Sequence, residues 1–224
     1  VALALGEIGP AASGAVEHLL ELTLSDDEAV RRAAAKAIAG IAGPGQEAVV
    51  PEIIDAISNN DTAVVMYLVE ALGKIGPGAD QVVPTLVTLL DHHAGYIRES
   101  AAKALGQIGL AESAVLKSLV KALKDDDRDV RIAAARALGN IGSSSKQVVK
   151  ALSKALFDEE CRMGMAAADA LGKIGPGAKS AVPSLMKAKN SPKYAKQCDG
   201  KPSATMNVSH HAGLALKAIG NEGP

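Results

Sequence analysis

Residues 127–142 read Asp-Arg-Asp-Val-Arg-Ile-Ala-Ala-Ala-Arg-Ala-Leu-Gly-Asn-Ile-Gly. The acidic opening supplies an N-cap, the apolar residues recur at helical spacing, and the closing Gly supplies a stop, so the stretch predicts one amphipathic helix with both ends marked. Its ending, Ala-Leu-Gly-x-Ile-Gly or a near variant, returns seven times, centred on Ile8, Ile41, Ile75, Ile108, Ile141, Ile174 and Ile219. The successive spacings are 33, 34, 33, 33, 33 and 45 residues. Self-similarity at a fixed period of this size is the mark of a stacked repeat array.

Each repeat predicts two helices. In the repeat that follows Ile75, the run Gly76-Pro77-Gly78-Ala79 is a stop and turn, residues 80–90 form a first helix with Pro84 near its opening, and residues 91–95 are a bend. The second helix then runs over residues 96–108. Elsewhere the bend carries capping acids, Asp26-Asp27 and Asp125-Asp126-Asp127, which suit the positive end of a helix. The array occupies residues 1–224 as one domain: a lone second helix at 1–9, repeats at 10–43, 44–77, 78–110, 111–143 and 144–176, and a last repeat at 177–224 with an insertion near 190–208.

The composition agrees with thin helical layers. Trp is absent, Phe occurs once and Tyr three times, so Ala, Leu, Val and Ile must fill the interior. With 24 basic against 25 acidic residues the formal charge is −1, which lacks the overall basic excess of a nucleic-acid binder.

These residues resemble the HEAT repeats, in the short variety first noted in phycobilisome lyases. Asp27-Glu28-Ala29-Val30-Arg31 followed by Ala33-Ala34-Ala35-x-Ala37-Ile38 is similar to that family's second helix, and residues 127–142 are more similar still. The resemblance implies an all-α fold, a right-handed α-α superhelix of the HEAT-like solenoid kind. It also implies an inter-repeat ladder of hydrogen bonds from Asp27, Arg31, Arg98, Asp127 and Arg131. The arginine position reads Arg31, Val65, Arg98, Arg131, Gly164 and Ser209, so the ladder is expected to lapse in three places and to leave the last two repeats less firmly held.

Helix geometry divides the faces. At 100° per residue the Ile, the Leu three before it and the residues four and seven before it form a buried stripe, whereas the positions nine and five before the Ile point the other way. The resemblance places these outward rows on a concave surface. They read Arg32, Met66, Glu99, Ile132, Met165, His210 and Lys36, Glu70, Lys103, Arg136, Asp169, Leu214. Met66, Ile132 and Met165 are apolar where water is expected. Two readings are open: a groove for a protein segment, or side chains tucked against neighbouring helices.

The insertion, rich in Pro, Gly, Ser, Lys and Asn, is either a binding loop or a tolerated surface loop. Cys161 lies at the equivalent bend one repeat earlier, and Cys198 lies in the insertion itself, so a disulfide between them would pin the loop and imply an oxidising compartment. Two unrelated thiols in a cytosolic chain is the other reading. His210 and His211 follow closely, but adjacent histidines on a helix diverge by about 100° and no compact Cys or His spacing preorganises a site, so no metal is assigned. His92 and His93 belong to a bend.

Enzymatic chemistry finds little footing. A HEAT-type deoxyhypusine hydroxylase needs His-Glu pairs, and no His precedes a Glu here. A HEAT-like DNA glycosylase wants a basic, aromatic-bearing face. The Gly-Lys-Ile-Gly-Pro-Gly of residues 73–78 recurs at 172–177 as helix punctuation and lacks the Gly-Lys-Ser/Thr of a phosphate loop. The expected function is therefore a non-enzymatic protein-binding scaffold or assembly module, monomeric, without cofactor, taking a protein or peptide segment. The alternatives are a lyase-type or chaperone-like subunit presenting a chromophore or substrate protein, and an extracytoplasmic module binding a ligand or metal through the insertion. No run of 18 apolar residues offers a membrane span. The opening inside a second helix, without Met, suggests a piece of a longer polypeptide, and the compartment stays open between cytoplasmic and extracytoplasmic. An unreduced digest is expected to contain the peptides of Cys161 and Cys198 joined; two alkylated thiols would reject the bridge.

Overall fold

The structure, a computed structural model, describes residues 1–76, 78, 81–191 and 207–220. These form two compact units, residues 1–108 and 109–224. The N-terminal unit holds α1 (Ala2–Ile8), α2 (Val16–Leu22), α3 (Glu28–Ile41), α4 (Val50–Asn59), α5 (Thr62–Ile75), α6 (Val82–Leu89) and α7 (Gly95–Ile108). The C-terminal unit holds α8 (Ser113–Ala122), α9 (Arg128–Ile141), α10 (Lys146–Ala155), α11 (Cys161–Ile174), α12 (Val182–Asn190) and α13 (Val208–Ala218). The described residues contain helices and turns and no strand. The gap between α12 and α13 coincides with the expected insertion, of which residues 192–206 lie outside the described residues.

Within each unit the helices form two layers. In the N-terminal unit, α1, α3, α5 and α7 stack in sequence as second helices, while α2, α4 and α6 each lie on the second helix of their own repeat. In the C-terminal unit, α9, α11 and α13 make the second layer, with α8, α10 and α12 over it. The inward stripe read from the sequence is the core. Ala34, Ala37, Ile38 and Ile41 of α3 are buried, as are Leu68, Ala71, Leu72 and Ile75 of α5 and Ala134, Ala137 and Leu138 of α9. A leucine such as Leu138 gains about 1.5–3 kcal/mol from such burial. Ile8 of α1 is 59% exposed, and Ile108, Ile141 and Ile174 are half-buried.

The recurring glycine two before the Ile is explained by close approach. A Cβ built on Gly73 would stand 2.8 Å from Ala104 Cβ and 3.0 Å from its Cα, and one on Gly139 would stand 2.7 Å from Ala170 Cα. Gly6 meets Ala37 Cα at 2.9 Å in the same way. Adjacent second helices thus touch backbone against backbone, with glycine on one helix and the alanine four before the Ile on the next. The glycine after the Ile, present in every repeat but that of Ile41, has the separate task of stopping the helix. Gly142, at φ 70° and ψ 16°, takes the left-handed cap and returns its amide to Leu138 O.

The bends are built by side-chain acceptors. Asp27, Asp61, Asp127, Glu160 and Asn207 cap α3, α5, α9, α11 and α13 by accepting backbone amides. Two residues ahead of the cap a second acceptor takes the cap position's own amide: Ser25 Oγ from Asp27, His92 Nδ1 from Ala94, Asp125 Oδ1 from Asp127 and Asp158 Oδ1 from Glu160. His92 does this as a neutral ring. Burial, with His93 and Arg98 nearby, holds it below the ordinary histidine value.

The ladder exists with different acids from those expected. Arg31 Nη1 donates to the Ser25 and Asp26 carbonyls of its own bend, and its Nε and Nη2 reach Asp61 Oδ2 of the next repeat at 3.3 and 3.0 Å. Arg131 repeats the pattern with the Asp125 and Asp126 carbonyls and with Asp158 Oδ1 at 3.5 Å. Arg98 closes its bend through the His92 and His93 carbonyls. Asp27 and Asp127 therefore serve as caps, and the carboxylates across the repeat boundary are Asp61 and Asp158. Asp61 does both, its Oδ1 capping α5 while its Oδ2 takes Arg31. Where arginine is missing other ties appear. Val65 is buried, Gly164 packs against Leu156 O and Val208, and Ser209 Oγ donates to Lys189 O at 2.6 Å, joining α13 to the end of α12.

Two outcomes follow from this packing. Gly139→Ala is expected to lower stability by about 1–3 kcal/mol by overpacking, whereas Gly213→Ala, whose Cβ would meet nothing within 4 Å, should stabilise by up to about 1 kcal/mol through helix propensity. Denaturant titrations giving both substitutions the same sign would refute the close-approach account. Burial raises the Asp61 carboxyl, but the Val64 amide, the Arg31 guanidinium and the Ala63 amide outweigh it and hold the group below its ordinary value. Its contribution is then full above the unfolded value of about 3.9 and lost as pH falls through the lower folded value. Asp61→Asn, which still caps α5, should flatten this acid limb in midpoints measured from about pH 5 to 2.

Candidate functional site

The outward-row residues other than Ile132 are exposed or half-buried on the second-helix layer, and each unit presents its own part. On the N-terminal unit, Arg32, Lys36, Glu70 and Lys103 are exposed and Met66 and Glu99 are half-buried. The charges are largely compensated along their own helices. Arg32 pairs with Glu28, Glu70 with Lys74 at 2.8 Å, and Glu99 with Lys103 at 2.6 Å. Each such i,i+4 pair is worth only about 0.3–0.5 kcal/mol, so the row is an electrically quiet strip rather than a binding pole. Lys74 also donates to Ala39 O of the preceding repeat at 2.6 Å.

The C-terminal unit offers more shape. Between α9, α11 and α13 lies an open cleft of about 440 Å³. Its floor is made of small side chains, Ala166, Ala170, Ala215 and Ala218 with Gly172, and Arg136, Asp169 and Leu214 of the outward rows stand in its lining beside Asn140 and Lys173. Leu214 is 49% exposed. Lys173 Nζ donates to Asn140 Oδ1 at 2.7 Å, and Asp169 Oδ1 meets His211 Nδ1 at 2.5 Å. Arg136 carries no ion pair among the described residues. A groove with an apolar spot, a carboxamide, a cation and a carboxylate can meet both the backbone and the side chains of another polypeptide.

Ile132 does not belong to this surface. It is 8% exposed, so of the two readings left open by the sequence the tucked one holds for it: an apolar side chain in the second turn of α9 gains more against neighbouring helices than in water. Met165 is half-buried, as Met66 is. Asn140 and Lys173 were absent from the sequence expectation. They sit one residue before their Ile, within about 40° of the row five before it, and extending the helical projection by that one position finds them. Cys161 opens α11, but Cys198 lies outside the described residues. Among the described residues no group of three or more His, Cys, Asp and Glu gathers as a metal would need, and no helix is long and apolar enough to cross a membrane.

A sequence-family model of HEAT repeats matches residues 16–81, 50–121 and 116–197. It carries no subtype, the phycobilisome-lyase variety included. No curated protein matches significantly. Among solved structures, an engineered protein is 28% identical with a TM-score of 0.62 over 99% of this chain and 64% of its own, so the chain spans less than two thirds of that relative. A second engineered protein is also 28% identical, with a TM-score of 0.62 over 92% of this chain and 96% of its own. A designed armadillo repeat protein in complex with the peptide (KR)4 is 20% identical, with a TM-score of 0.63 over 91% of this chain and 99% of its own, a likeness of fold alone. With an all-helical structure of paired layers and a family match running from residue 16 to residue 197, the chain belongs to the HEAT-repeat family.

Proposed function

We propose that the chain is a non-enzymatic protein-binding scaffold whose second-helix layer receives a peptide segment of another protein. The observation that carries this reading is the cleft of the C-terminal unit, where Leu214 stands exposed over a floor of alanines and a glycine. A floor without long side chains lets a guest backbone approach closely. Leu214 supplies the apolar contact, while Asn140, Arg136 and Asp169 supply directional hydrogen bonds. The outward residues of the N-terminal unit, Arg32, Lys36, Met66, Glu70, Glu99 and Lys103, serve as a second strip for the same kind of guest. A designed armadillo repeat protein that holds a peptide on a similar fold supports the class of guest but not its sequence.

Selection from a random peptide display library tests the reading. Selected peptides should bind the intact chain. Leu214→Glu should weaken them at least tenfold, about 1.4 kcal/mol, by putting an unpaired charge in the cleft. Met66→Glu combined with Met165→Glu should abolish capture by a chain whose helical content and unfolding midpoint are retained. A library that yields no binder, or binders indifferent to all three substitutions, rejects the proposal.

A further inference from the structure

The first-helix layers carry two grooves that the reading above leaves unused. In the N-terminal unit a groove of about 400 Å³ runs between α2 and α4, with Leu20, Leu24 and Ala56 inside a rim of Glu17, Glu21, Glu52 and Asp55. In the C-terminal unit a groove of about 510 Å³ runs between α10 and α12, where Phe157 stands among Lys146, Lys150 and Lys154 with Ser153, Ser180 and Ser184. Lys187 Nζ lies 5.3 Å from the centre of the Phe157 ring and adds a fourth ammonium.

The two grooves are the same place in the repeat, built twice with opposite sign. Counted back from their Ile, Glu17 and Lys150 both stand at 24 residues, Glu21 and Lys154 at 20, and Leu24 and Phe157 at 17. Alignment of Val50-Pro51 with Val182-Pro183 likewise sets Asp55 against Lys187. At the 17-residue offset the intervening repeats carry Ser58, Asp91 and Lys124, all polar. The two repeats that break this rule place Leu24, 65% exposed, and Phe157, the chain's one Phe, in their respective grooves. The wider charge follows the same division. Residues 1–108 hold 6 Lys and Arg against 14 Asp and Glu, a net of −8, and residues 109–224 hold 18 against 11, a net of +7. The near-zero total hides two oppositely charged halves.

We propose that the acidic α2/α4 groove of one molecule receives the basic α10/α12 groove of a second copy, Phe157 packing on Leu24 and Leu20 while the ammonium rim faces the carboxylate rim. Two helix pairs can interlock ridge into groove. Four charges of each sign meet around an apolar centre, which is the arrangement of an interface core inside a polar rim. The contact joins different surfaces of the two partners, so it is heterologous and leaves the basic groove of one molecule and the acidic groove of the other free for further copies. Rim charges lend such a contact steering and salt sensitivity more than strength, so a weak, reversible association is expected.

Sedimentation of the whole chain decides it. At about 0.02 M salt and about 100 µM protein the weight-average mass should rise to about twice the monomer value or beyond. It should return to the monomer at about 0.5 M salt. Glu21→Lys with Asp55→Lys should be monomeric alone, and so should Lys146→Glu with Lys150→Glu. The two should associate again when mixed, because each then offers the sign the other has lost. Lys117→Glu with Lys124→Glu, the same charge change outside the basic groove, should associate as the unaltered chain does. A chain that is monomeric under all these conditions overturns the proposal. So does equal loss in the control, which would reduce the effect to net charge. Retention of a labelled oligonucleotide by the basic groove without self-association also overturns it and assigns the groove to a polyanion.

Discussion

Adjacent second helices in this protein approach peptide backbone to peptide backbone, where a glycine of one lies against an alanine of the next. Gly6 on Ala37, Gly73 on Ala104 and Gly139 on Ala170 leave no room for a methyl group between them. Much else follows from that spacing. Helices drawn so close need small residues through the middle of the second layer, which explains the alanine content and the near absence of aromatics. The large apolar side chains are displaced to the seam between layers, where Leu19, Ile53, Leu68, Leu86, Leu119 and Leu152 are fully buried. The polar ties act at the margins of this contact and hold its register. Arg31 to Asp61, Arg131 to Asp158 and Lys173 to Asn140 all cross a repeat boundary beside it.

The fold was legible because its causes are local and repeated. Periodicity located the second helices to within a residue or so, as in the expected 96–108 against the observed Gly95–Ile108, and the angular argument identified the buried stripe. The partners across repeat boundaries were not legible. Asp27 and Asp61 look alike as acids ahead of a helix, and only three-dimensional placement shows that Arg31 leans toward the second. Ile132 failed for a related reason: an angle on an isolated helical wheel takes no account of how neighbouring helices close around the second turn of α9. The cleft was half legible. Arg136, Asp169 and Leu214 came from the projection, while Asn140 and Lys173 needed one more row.

The glycines and the charges also show how a repeated scaffold becomes asymmetric. Positions under the close contact are nearly invariant from one repeat to the next, whereas positions on the first-helix layer change sign between Glu17 and Lys150 and between Asp55 and Lys187 at no cost to the stack. Adjacent helix pairs can therefore carry unrelated surface chemistry on one internal plan. An array read by its total charge looks featureless, and read by its units it carries −8 on one and +7 on the other.

A stack joined only through neighbouring contacts has a further property. Gly6 on Ala37, Gly73 on Ala104, Gly139 on Ala170 and Gly172 on Ala215 repeat one close contact, so a segment excised between equivalent points brings together two surfaces that already match. Gene-level loss or gain of one period would add or remove a whole tread of the staircase without disturbing those on either side. Length in such a molecule is quantised, and the reach of its surfaces changes in steps of a single tread.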